Sequence, residues 1–517
     1  MNLDGLDSAV HGWLLPTLVL LPLVGALVLL LVRRIGETAA AWAGTVVAAS
    51  TAGLAVLAAL AAAPFTAAGP GIDVDAVWIR SLGVHAHLGL DGVSTPLVLL
   101  TALLGLLVTG HLIRVRPPGG RVNGLVAAYL AVEGGALATF TALDLVLFYV
   151  AFEIVLVPMW FAIAFWGDAT QKPRRIGQSA PLPGGEAARR DAATRFLLFT
   201  AIGSAVMLLG LLLIGLRAGT TDLVLLAERH GAGMSTTVQT IAAALVVLGL
   251  AVKAPMFPLH TWLPPAHSIA PTGGSVLLAG VLLKMGTYGL IRVAVPVVPD
   301  GVRELAPLLG GLGVAGIFWG GLACLAERDL KRLIAFSSVA HMGFILLGVA
   351  SMTPEGLQGA LFANIAHGLI TGLLFLVVGG LKDRHHTGDL AALGSGLRDR
   401  LPRLGWLLAF GAIAGLGLPG LAGFWGELLA VLGAWRGTDA LGDWARPFAV
   451  LAVIGTVIAA AYLLRVLRLV WHGPRDARWA EGEHAVTADA NVTELTVAAP
   501  LVLATVALGL LPWVLLD

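Results

Sequence analysis

Two lysines stand where a charge is costly. Lys253 follows the apolar run 248–252 and precedes Pro255 and Pro258, while Lys284 sits between Val281-Leu282-Leu283 and Met285-Gly286. Both lie too deep in apolar sequence for the head group to snorkel to an interface. A buried amine can release and regain a proton as its surroundings change, which a guanidinium cannot do. The chain otherwise prefers arginine: 27 of its 32 basic residues are Arg, and the five lysines are Lys172, Lys253, Lys284, Lys331 and Lys382. Two of those five lie inside apolar segments, which points to proton handling; the alternative is a structural ion pair. Carboxylates that could partner them are Glu153 in FYVAFEIVLVPMW, with Tyr149 on the same helical face, Glu427, and, as a second and weaker candidate, Glu133 in YLAVEGGAL. His341 follows Ser337 and Ser338 on one helix, and Asn364, His367 and Thr371 form a stripe on the next. An imidazole titrates near neutrality and suits a relay, the alternative being helix–helix hydrogen bonding.

The elements that must position these groups are membrane helices. Of 517 residues 58% are hydrophobic and 12% charged, with a mean hydropathy of +0.90, and apolar runs of roughly 20 residues recur along the chain. This predicts an all-α polytopic membrane protein with about fourteen transmembrane helices. A net charge of +1 gives no basis for nucleic-acid binding, and the single cysteine, Cys324, read as a small core residue, excludes an internal disulfide or a cysteine-ligated iron–sulfur cluster. The acidic start MNLDGLDSAVHG does not read as a signal peptide.

Span 7, near 238–259, is interrupted by Pro255 and Pro258, and span 12, near 404–433, by the Gly415–Gly423 run ahead of Glu427. These read as broken helices, whose freed backbone groups are tolerated only against protein or in a polar cavity. The two breaks stand five spans apart. That suggests spans 1–3 within 1–122, a first five-helix repeat at 123–294, a second at 304–470, and a last span within 493–517. An odd number of crossings per repeat inverts the second relative to the first, as in transporters. Loops after odd-numbered spans hold 23 basic residues, and the other side holds seven: Arg80, Arg217, Arg229, Arg292, Arg303, Arg436 and Arg446. The positive-inside rule then places both termini outside the cell membrane.

Other motifs carry less. The polar, basic loop 167–190 is suited to lipid headgroups or a partner. His260 and His267 flank the span 7 break, where capping and proton uptake are equal readings. His385-His386 lacks a third metal ligand nearby and reads as a solvated loop. Gly415-x-Gly417-x-x-Gly420 matches a dinucleotide fingerprint only as a string, since no strand precedes it.

Three stretches bear a family resemblance: HTWLPPAHSIAPTGGSVLLAGVLLKMGTYGLIR from His260, ERDLKRLIAFSSVAHMGF from Glu327 and ANIAHGLITGLLF from Ala363. With the rest of the chain they resemble the antiporter-like membrane subunits of proton-pumping NADH:quinone oxidoreductase, respiratory complex I. The resemblance implies that Glu153 pairs with Lys253, that Lys284 and His341 bridge two half-channels, that His367 lies on the central axis, and that Glu427 is the terminal proton site. An acid on span 12 is the M-type pattern, where L-type and N-type members carry lysine. It further implies H+ movement from cytoplasm to outside, driven by redox chemistry elsewhere. No cofactor is then expected on this chain; FMN, iron–sulfur clusters, NADH and quinone would reside in partner subunits, and the L and N neighbours and membrane lipids would surround it. Pro265 departs from the acidic or other polar residue usual at that loop position, so the resemblance carries no proton-entry role over to it. Competing readings are a subunit of a cation/proton antiporter or membrane-bound hydrogenase, and a free-standing solute transporter.

Overall fold

The computed structural model describes residues 3–32, 35–63, 69–117, 120–168, 185–480 and 488–516. Twelve described helices are long and apolar enough to cross a membrane. In chain order the principal helices are α1 (Leu3–Leu31), α2 (Glu37–Ala62), α3 (Thr95–His111), α4 (Val122–Thr141), α5 (Leu145–Ile154), α6 (Leu156–Trp166), α7 (Glu186–Ala218), α8 (Leu223–Arg229) and α9 (Thr236–Lys253). There follow α10 (Leu263–Ile269), α11 (Thr272–Val297), α12 (Pro299–Ala326), α13 (Leu330–Ala350), α14 (Pro354–His385), α15 (Pro402–Ala414), α16 (Ala422–Arg436), α17 (Ala445–Val466) and α18 (Val492–Leu510).

Helix starts fall where a side chain can take up the amides that a first turn leaves open, a need made sharper by lipid. The Asp144 carboxylate accepts from Val146 and Leu147 N–H, and that of Asp329 from Arg332 N–H. Asn491 and Glu494 cap each other's backbone at α18. Glu494 also takes Arg384 of α14 in a 2.7 Å ion pair. In the 472–476 turn, hydrogen bonding from Arg478 holds the Asp476 carboxyl down at about 2.

One expectation from sequence needs correction. Between α2 and α3 the chain forms four short strands, β1 (Ile72–Val74), β2 (Val77–Ile79), β3 (Val84–His85) and β4 (Leu88–Leu90), so the protein is not wholly helical. They make two antiparallel pairs, β1 with β4 and β2 with β3. This stretch is too polar to span a membrane, and strand pairing satisfies its backbone instead.

Both proposed interruptions are real breaks in helix. After α9 ends at Lys253, residues 254–262 run as turns to α10; a residue before proline is pushed out of helical geometry, and Pro255 has no amide to donate. After α15 ends at Ala414, residues 415–421 are non-helical, with Gly417 and Gly420 at φ +68° and +92°. A third break, at Val155 between α5 and α6, follows from Pro158, whose ring opposes the carbonyl of Ile154.

The described residues form two compact units, one of those within 3–168, 185–254 and 281–305, the other of those within 255–280 and 306–516. Most of the basic loop read at 167–190 lies outside the described residues.

Candidate functional site

In the first unit, Lys253 closes α9 with only 2% of its surface exposed. Its Nζ donates to the Phe152 carbonyl oxygen at 3.4 Å and stands 4.4 Å from the centre of the Phe152 ring. Taking an ammonium out of water costs several kcal/mol. A desolvated cation–π contact returns about 2 kcal/mol and a hydrogen bond from a charged group about 1.5–3. Glu153, next to Phe152 on α5, is a carboxylate one residue from the group that holds the ammonium. Among the described residues no direct salt bridge joins Glu153 to Lys253: Phe152 takes the contacts. The kink at Val155, two residues beyond Glu153, was legible in Pro158 but went unread.

Lys284 is fully buried on α11. It lies between two π-helical turns, Leu278–Leu282 and Leu290–Ala294, a distortion that often marks functional positions. α11 presses on α9 at Gly286, where a Cβ would stand 2.7 Å from the Leu250 carbonyl oxygen. One turn past Lys284 the Tyr288 hydroxyl donates to the Phe140 carbonyl at 3.0 Å, and one turn further Arg292 pairs with Asp91 at 2.6 Å. Glu133 lies at mid-helix in α4. It is fully buried, and its carboxylate oxygens find no hydrogen-bond partner among the described residues. It packs against Gly105 of α3, where only a hydrogen leaves it room.

In the second unit α13, α14 and α16 bring three of the expected residues together. His341 Nδ1 lies 3.1 Å from Glu427 Oε1, and the His341 and His367 rings meet edge to face at 5.6 Å. Glu427 stands in α16 beyond the 415–421 break, with its other oxygen against Gly417, where a Cβ would come within 2.7 Å. Ser337, Thr371 and Tyr462 join these three around an internal space of about 30 Å³, enough to hold a water molecule. The direct His341–Glu427 contact and the part of Tyr462 were not visible in the sequence. A lone tyrosine in the apolar run AAAYLL was the only signal for Tyr462.

Three further histidines, His260, His267 and His385, are packed. His267 stacks on Phe375 at 4.5 Å, and His260 lies among Phe257, Trp319 and Phe336. His385, expected in a solvated loop, is buried at the end of α14 against Trp479, with Nδ1 2.9 Å from the Leu381 carbonyl. Cys324 is buried, as expected. Among the described residues no group of three or more His, Cys, Asp or Glu side chains could hold a metal. What the arrangement offers is titratable groups at membrane depth, with room for a water molecule.

Residues 182–460 match the family model described as NADH:quinone oxidoreductase/Mrp antiporter, TM. The NADH-quinone oxidoreductase subunit M of Rhodobacter capsulatus is 38% identical, covering 98% of this chain and 94% of its own. Among solved structures, a chain of respiratory complex I from Thermus thermophilus with bound NADH superposes with a TM-score of 0.80 at 31% identity, covering 96% of each chain. A chain of the Mrp complex from Dietzia sp. superposes at 0.79 with 22% identity, covering 98% of this chain and 96% of its own, a likeness of fold alone.

Proposed function

The chain belongs to the NADH:quinone oxidoreductase/Mrp antiporter membrane family and is a proton-translocating membrane subunit of complex I, and we propose that its protons move through the buried Glu153, Lys253, Lys284, His341, His367 and Glu427. In this reading Glu153 and Lys253 load from the cytoplasm, Lys284 and the two histidines carry charge onward, and Glu427 releases the proton outside. The observation that carries it is the His341–Glu427 contact at 3.1 Å beside His367 and a water-sized space. A carboxylate held by an imidazole gives up its partner when the imidazole loses its proton, so protonation and pairing change together.

Redox chemistry is assigned to partner subunits that hold FMN, iron–sulfur clusters, NADH and quinone. An acid at position 427 favours an M-type place between L-type and N-type neighbours. Counting α3 and the α15–α16 pair as crossings brings the spans to fourteen, which fits the inverted five-helix repeats. Purification from native membranes is expected to recover the chain with NADH-binding and iron–sulfur subunits. Recovery with cation-antiporter subunits alone, or as an active protein by itself, contradicts the assignment.

The 23-to-7 split of basic residues places the termini and the 64–92 loop outside and the 382–403 loop in the cytoplasm. Single cysteines at these places, in a Cys324→Ser background, should be labelled by an impermeant thiol reagent in intact cells only at the termini and the 64–92 loop. Labelling in 382–403 overturns the orientation.

A further inference from the structure

The polar face of α11 does not stop at Lys284. Four and eight residues on stand Tyr288 and Arg292, one and two turns further along the helix, so the row covers about 12 Å at 1.5 Å per residue. All three residues belong to the first unit. Burial falls away along the row: Lys284 and Tyr288 are buried, and the Arg292 side chain is 21% exposed. The row therefore runs from a buried amine toward the arginine-poor side, read above as the outside. Left open, it would give a proton on Lys284 a way out that bypasses the second unit.

Hydrogen bonding closes each step of the row. Tyr288 could accept a proton from the amine, but its own goes to the Phe140 carbonyl at 3.0 Å, a group that does not hand a proton on. Phe140 and Phe148 pack the phenol, with ring centres 5.3 and 6.5 Å away, and keep it on that carbonyl. Arg292 cannot accept at all, because a guanidinium has donors only and keeps its charge at any accessible pH. Its Nη1 lies 2.6 Å from Asp91 Oδ2. Asp91 is itself fixed, since its Oδ1 accepts from the Val93 and Ser94 N–H and from the Ser94 hydroxyl, each at 3.0 Å. The guanidinium is thus anchored to the start of α3. A fixed cation is also an electrostatic obstacle to an excess proton, the device by which water-conducting pores exclude protons.

We propose that Arg292, anchored by Asp91, is the seal of the first unit: it closes the outer end of the α11 row, so that a proton on Lys284 leaves only by the onward path. This role rests on the relay reading given above, in which Lys284 carries charge, and adds to it the residue that gives the movement its direction. Arginine suits the place better than lysine, whose ammonium could lose its proton and then pass one on. A bare tie between α11 and α3 would need the ion pair but not a group barred from accepting protons.

For the test, the intact complex is placed in sealed vesicles and the decay of an imposed pH gradient is followed without NADH, with the membrane potential clamped by potassium and valinomycin. Arg292→Gln, whose amide both accepts and donates, should raise the decay rate ~10-fold or more over wild type, one order of magnitude being about 1.4 kcal/mol off the barrier. Asp91→Asn, which breaks the same ion pair but keeps the guanidinium, should stay tight. Adding Lys284→Ala should abolish the Arg292→Gln leak, because the row then has no amine to feed it. Tight vesicles with Arg292→Gln overturn the seal. Equal leaks from the Arg292 and Asp91 variants, which would mark a structural tie, overturn it as well, and so does a leak that survives Lys284→Ala. Should Arg292→Gln fail to assemble, Arg292→Cys in a Cys324→Ser background decides: a quaternary-ammonium thiol reagent should close its leak and a neutral reagent of similar size should not, and equal closure by both overturns the proposal. Failure of the relay reading looks different, since Lys284→Ala alone would then pump at the wild-type rate with NADH.

Discussion

Lys253→Ala should lower proton pumping by ~10-fold or more, the equivalent of at least about 1.4 kcal/mol at the limiting step, while the complex still assembles. The reason lies in what the substitution removes. Alanine takes away a cation whose burial costs several kcal/mol and leaves only the Phe152 carbonyl and ring without their ammonium contact. That carbonyl precedes the Val155 break rather than holding a sheet or a ligand, so the fold should bear the loss. What cannot survive is the exchange of states between Glu153 and the amine, and Glu153→Ala should fail in the same way. Proton uptake per NADH oxidised, with electron transfer to a water-soluble acceptor as the assembly control, is the measurement. An assembled Lys253→Ala complex that pumps normally removes this residue from the path.

The lysines and the breaks were legible because both obey local rules. A charge in an apolar run is costly wherever it falls, and Pro255 and the 415–423 glycine-rich run interrupt hydrogen bonding whatever packs around them. Span 7 was drawn six residues too far, to 259 rather than Lys253, since hydropathy continues past the point where the prolines end the helix. What could not be read was anything set by packing between helices. Phe152, not Glu153, touches the lysine ammonium, and nothing in FYVAFEIV says which neighbour will. His341 and Glu427 are far apart in sequence yet 3.1 Å apart in space. Nor does the sequence show what Gly134 and Gly135 do in α4, where they let neighbours pack closely: a Cβ at Gly135 would meet Ile154 at 2.8 Å. The strands at 72–90 escaped notice because each is two or three residues long, too short to show alternation.

Glu427 is the residue whose exchange separates the role of side-chain shape from that of the titratable carboxylate. Glutamine keeps the length and can still hydrogen-bond His341, but it has no proton to take up at any accessible pH. Aspartate keeps the carboxylate and withdraws it by one methylene from a partner now 3.1 Å away. The adjoining space of about 30 Å³ can admit a water to bridge the gap. Gly417, at φ +68° and in contact with the second carboxylate oxygen, leaves no room for a larger side chain on that flank. Shape alone therefore predicts that Gln outperforms Asp, whereas a carboxylate that must titrate predicts that Asp outperforms Gln.

Quinone-dependent proton uptake by the Glu427, Glu427→Asp and Glu427→Gln complexes, compared at matched abundance in sealed vesicles, tests the relay most directly. The account predicts that Asp retains much of the wild-type rate and that Gln loses ~10-fold or more, again about 1.4 kcal/mol. Wild-type uptake by the Gln complex would contradict it, showing that protons leave this subunit elsewhere, with Glu133 and the His367 stripe the next positions to replace.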